Sequence, residues 1–121
     1  MGLPAHMPPE RVSDNPVLSP VAPADTMMQQ IEELLGADAP TLARLEETLT
    51  EGYGQALALE AERWRLERRL GEMAREGGAD VREELQSLGK RLTKADVELA
   101  ELRTLLGSLH ERARIARAAA S

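Results

Sequence analysis

The chain has 121 residues and a formal charge of −6, with no cysteine, no phenylalanine, one tyrosine and one tryptophan. That length holds one small domain, and so few aromatics leave leucine and alanine to fill its core, which suits long helices better than a mixed fold. Without cysteine there is no disulfide framework, thiolate zinc site or cysteine nucleophile. No window approaches the roughly 20 apolar residues of a membrane span, and the N-terminus has neither a signal-peptide nor a myristoylation pattern, so the expectation is a cytoplasmic protein off the membrane.

Six of the seven prolines fall in residues 1–24. Proline lacks the amide donor and blocks helix propagation, so this segment is expected to be a disordered tail, with Val12 or Val17-Leu18 as a candidate docking motif. Residues 25–36 form a short amphipathic helix: Asp25 or Thr26 as N-cap, Met27, Met28, Ile31, Leu34 and Leu35 on one face, and Gly36 at its end. A helix this short needs a surface to lie on. Asp38 and Pro40 are expected to start a second helix over about 39–76, whose Leu42, Leu45, Leu49, Gly52, Ala56, Leu59, Arg63, Leu66, Leu70 and Met73 alternate in steps of three and four. A third helix over about 80–118 continues the rule from Val81 through Leu85, Leu88, Leu92, Ala95, Leu99, Leu102, Leu106, Leu109 and Ala113 to Ala116, with Asp80 as N-cap and Glu83 at N3.

Between the two stripes stand Gly77 and Gly78, which permit a left-handed helix end. A connection that short makes the neighbours antiparallel. The fold class is therefore all-α: an antiparallel helical hairpin, read as a two-stranded coiled coil over 39–121, preceded by the short helix and the tail. Centring the turn near residues 78–79 pairs Met73 with Leu85, Leu66 with Leu92, Leu59 with Leu99 and Leu49 with Leu109, and sets Gly52 on Leu106 and Arg63 on Ala95. This choice is expected to leave Glu62 near Glu98 and Arg69 near Arg91. A shift of one heptad would align Glu62 with Arg91 and Arg69 with Glu84 but stack Ala56 on Ala95. A core cavity costs more than exposed ion pairs return, so the first register is preferred.

Tyr53, Leu57 and Trp64 lie off the seam of the second helix, as do Val97, Leu105 and Ile115 on the third. The short helix is expected to cover some of these near the open end, where Ile115 lies. Tyr53, Leu57, Trp64, Val97 and Leu105 are the candidate interface to a protein partner, with a second copy in a homodimer as the foremost case.

Residues 1–40 carry −5, 41–78 carry −2 and 79–121 carry +1, so the helical part is close to balanced. It offers no basic face with interleaved aromatics, and no nucleic-acid partner is expected; Arg112, Arg114 and Arg117 read as cations at a helix C-terminus. His6 and His110 make no ligand cluster, and no nucleophile triad, phosphate loop or dinucleotide fingerprint is present. The expectation is a non-enzymatic interaction or scaffolding module without cofactor, metal or small-molecule substrate. Arg63, the one charged seam residue, is expected to snorkel beside Ala95 or to pair with Glu60 or Glu67, with register fixing as the alternative role.

Glu76, Asp80 and Glu83 give the tip of the hairpin an acidic character. In shape and charge such a hairpin is similar in outline to transcript-cleavage factors that reach a metal through the polymerase secondary channel. That resemblance implies the alternative function, a regulatory factor inserting its tip into a larger complex such as RNA polymerase, although no C-terminal docking domain is expected after the hairpin. In size the hairpin also resembles type VII secretion substrates, but Glu76-Gly77-Gly78-Ala79-Asp80 stands where they carry a Trp-x-Gly turn.

Overall fold

A computed structural model describes residues 24–120, which form three helices in the order α1 (Ala24–Leu35), α2 (Leu42–Glu76) and α3 (Val81–Ala120). The expected tail, with Val12 and Val17-Leu18, lies outside the described residues. The long helices run antiparallel over 35 and 40 residues, and α1 lies against both at their open end. The all-α helical hairpin with a short leading helix is thus the observed architecture.

Local chemistry sets the helix ends. The backbone at Gly77 (φ 69°) and Gly78 (φ 97°) lies in the left-handed region that only glycine enters without strain. The amide of Gly77 donates to Met73 O at 3.2 Å, closing the last turn of α2. At the other end of α2 the N-cap is Thr41, not Asp38: its hydroxyl accepts from the amide of Arg44 at 3.1 Å. Asp38 and Pro40 belong to the connection instead, because the threonine stands one residue before the first apolar seam position and can reach the N3 amide. Likewise α1 already includes Ala24, which places Asp25 in its first turn rather than at its cap.

The seam has the preferred register. A Cβ on Gly52 would overlap Leu106 Cδ2 and stand 3.6 Å from Ile31 Cδ1, so the glycine leaves the space that a leucine of α3 fills beneath α1. The expected like-charge flanks are not observed. Glu62 meets Arg91 at 3.3 Å rather than Glu98, and Arg69 meets Glu84 at 4.0 Å rather than Arg91. Glu46 meets Arg117 at 2.6 Å, and Glu60 pairs with Arg103. In an antiparallel pair the flanking side chains reach across the seam diagonally, so they meet five residues off the line of the core layers: Glu60 stands level with Glu98 and bonds Arg103. Core packing and ion pairing are served by one register and do not compete.

Two apolar clusters hold the hairpin. The larger joins Met27, Ile31 and Leu34 of α1 to Leu45, Leu49 and Ala56 of α2 and to Leu99, Leu102, Leu106, Leu109 and Ala113 of α3. The smaller, toward the tip, is built on Leu66, Met73 and Leu88, with half-buried Leu70, Val81, Leu85 and Leu92 around them. Between them lies the layer of Arg63 and Ala95. Arg63 pairs with Glu67 at 3.3 Å, as expected, and with Asp96 across the seam, whereas Glu60 is taken by Arg103. With 42% of its side chain exposed, Arg63 keeps its charge in water.

Two outcomes follow from this division. Native-state hydrogen exchange will find the slowest amides in 45–59 and 99–109, under α1, and faster exchange in 66–92; uniform protection would contradict the two-cluster core. Gly52→Val will lower the free energy of unfolding in urea by about 1–3 kcal/mol through overpacking against Leu106, although it removes a helix-weakening glycine.

Candidate interaction face

The hairpin has two flanks, and α1 covers one of them at the open end. The guanidinium of Arg112 donates to Leu35 O at 2.8 Å, satisfying a terminal carbonyl of α1. At the opposite end of α1, Asp25 is within electrostatic reach of Lys94, whose pKa is raised first by its hydrogen bond to Glu98 and by that residue's charge. α1 therefore runs in the direction of α3. The covered flank buries Thr48 and Gln55, and among the described residues neither Thr48 Oγ1 nor Gln55 Oε1 has a hydrogen-bond partner.

Leu105 belongs to this covered flank. It is half-buried and packs on the core cluster that contains Ile31, so it does not join the exposed apolar residues as expected. The physical reason is its position seven residues before Arg112, on the side of α3 that faces α1. Ile115 departs from expectation in the opposite sense: it remains 53% exposed, because it points outward from α3 past the end of α1.

On the other flank the sequence-derived candidates stay open to solvent. Tyr53 is 47% exposed, Leu57 66%, and Trp64 58%. At spacings of four and seven they form one stripe along α2. Tyr53 and Leu57 wall a depression of about 380 Å³, floored by Ala56, Leu106 and Gly107. The Glu60–Arg103 ion pair closes its rim. The guanidinium of Arg68 lies 4.9 Å from the centroid of the Trp64 ring, a cation–π contact that holds the indole along the helix. Val97 is exposed on the outer side of α3 and does not line the depression.

At the tip, Glu76, Asp80 and Glu83 are all exposed around the glycine turn. The C-terminal arginines are each engaged: Arg112 on α1, Arg117 with Glu46, and Arg114 with Glu111 at 2.6 Å. The Arg114 hydrogen bond holds the Glu111 carboxyl below its ordinary pKa. Among the described residues no group of three or more His, Asp or Glu side chains is placed to hold a metal ion, and no helix is long and apolar enough to cross a membrane.

The depression and the buried pair Thr48 and Gln55 were not singled out from sequence. A signal for the pair exists in the flank row of α2, which reads Thr48, Gln55, Glu62, Arg69: uncharged under α1 and charged beyond it. Thr48→Val, which keeps the shape and removes the unpartnered hydroxyl, will leave stability unchanged or raise it by about 1 kcal/mol in urea denaturation; a clear loss would show that the hydroxyl has a partner. Comparison with protein-family models, curated proteins and solved structures gave no match, so the functional reading rests on the chain's own geometry.

Proposed function

We propose that the chain is a non-enzymatic interaction module, a coiled-coil hairpin that associates with a second copy of itself through the Tyr53, Leu57 and Trp64 stripe of α2. The observation that carries this reading is the exposure of that stripe on the flank left clear by α1. In a chain with one tryptophan and one tyrosine, both stand on the same surface rather than in the core. Aromatic residues of that kind supply large contact area at low entropic cost and dominate interface energetics. The charges beside the stripe are of both signs, Glu60 and Arg103 at its centre and Arg68 over the indole, which suits a surface that must complement itself.

Static light scattering across a dilution series tests the reading. The wild-type mass is expected to approach twice that of the monomer at high concentration, and Trp64→Ala to move the transition to higher concentration by roughly 30-fold or more. Glu76→Ala and Asp80→Ala are expected to leave it in place. A wild-type monomer throughout would remove the dimer reading, and assembly sensitive to the tip variants but indifferent to Trp64 would replace it with the tip-insertion alternative.

A further inference from the structure

Resting on that reading, the geometry points to one arrangement of the two copies: we propose that α2 packs antiparallel on α2 about a two-fold axis, with Trp64 of each copy seated in the other's depression beside Tyr53 and Leu57. Shape is the first argument. The floor of the depression is low because Gly107 has no side chain, and a Cβ there would meet nothing within 4 Å. Its volume of about 380 Å³ is enough to take an indole. The chain thus carries both a large exposed aromatic knob and an apolar hole.

Spacing is the second argument. Trp64 lies seven to eleven residues beyond the walls of the depression, roughly 10–17 Å along the helix at 1.5 Å per residue. A two-fold axis midway between knob and hole satisfies both contacts at once, as an isologous interface requires. A parallel pairing sets Trp64 on Trp64 and leaves both holes open.

Charge is the third. Flanking residues of an antiparallel helix pair meet five residues off the core layers, as Glu60 and Arg103 do within the hairpin. With Trp64 level with Tyr53 of the second copy, the same offset brings Glu47 to Arg75 and Arg68 to Gly54. The two charged residues are opposite in sign and exposed in the single chain, and Gly54 has open space where Arg68 arrives. Parallel pairing instead opposes Glu47 to Glu47 and Arg75 to Arg75. Because α1 occupies the other flank, nothing described obstructs the approach.

Two variants of the full chain separate this arrangement from the broader reading. Gly107→Leu fills the hole from within and places its side chain in open space, so helicity will be kept while the dimer weakens roughly 30-fold or more. In a chain without cysteine, Gly54→Cys will form no intermolecular disulfide under mild oxidation, its two copies being about 13 Å apart along the helix, whereas parallel pairing would set them level. The emission of the single tryptophan will shift to shorter wavelength as concentration rises. A dimer that is lost in Trp64→Ala, survives Gly107→Leu and cross-links through Gly54→Cys would overturn the antiparallel seating and leave the stripe reading intact. A dimer indifferent to Trp64→Ala, or no dimer, would overturn both.

Discussion

The left-handed backbone of Gly77 and Gly78 sets the line along which α2 and α3 meet. With the reversal confined to Gly77–Asp80, one seam residue of each helix is brought level with one of the other, and the alternation of three and four carries that alignment down the whole hairpin. Gly52 shows what the alignment demands. It stands where Leu106 enters and where Ile31 of α1 closes the site from above, so a missing side chain at one level admits two others. A slip by one residue would turn the leucines off the seam, and a slip by one heptad would take Leu106 away from the gap at Gly52.

From that register the two flanks acquire different characters. Thr48 and Gln55 on one side accept a short helix that supplies Met27, Ile31 and Leu34, and Arg112 secures its last turn. A helix of 12 residues has little stability alone, and the apolar surface it shares with α3 keeps it folded. The opposite flank carries charged residues in the ion pairs Glu46–Arg117 and Glu60–Arg103, with the tyrosine between them in sequence. Exposed pairs of this kind contribute little to stability.

Periodicity in the sequence was sufficient for the helix count, the reversal and the register of the seam, because each rests on the local spacing of apolar residues and on glycine's backbone freedom. What it did not yield were features that depend on three-dimensional offset. The flank pairs Glu62–Arg91 and Arg69–Glu84 looked incompatible with the preferred register only when residues were matched level by level; the diagonal reach of side chains across an antiparallel seam removes the conflict. Leu105 was grouped with Tyr53 and Trp64 because all three are apolar and off the seam, yet it lies on the other side, under the reach of α1. Asp38 reads as a cap because its residue type caps well; the observed cap is Thr41, whose oxygen reaches an N3 amide. The depression at Gly107 had no signature at all, since it is made by residues of two helices, about 50 apart in the chain.

The polar layer at Arg63 bears on why an interaction surface should lie where the stripe does. Tyr53 and Leu57 stand over the larger cluster, beside Ala56 and Leu106, whereas Trp64 follows Arg63 directly and lies on the way to the smaller one. The stripe therefore straddles the level at which the apolar core is interrupted by a guanidinium and an alanine. A second chain laid along it adds apolar cover at the layer that has least of its own, and a partner that binds only the folded state stabilises that state by mass action. Under the proposed assembly, association and the integrity of the hairpin are linked, because the contacts that join two copies span the weakest layer within each.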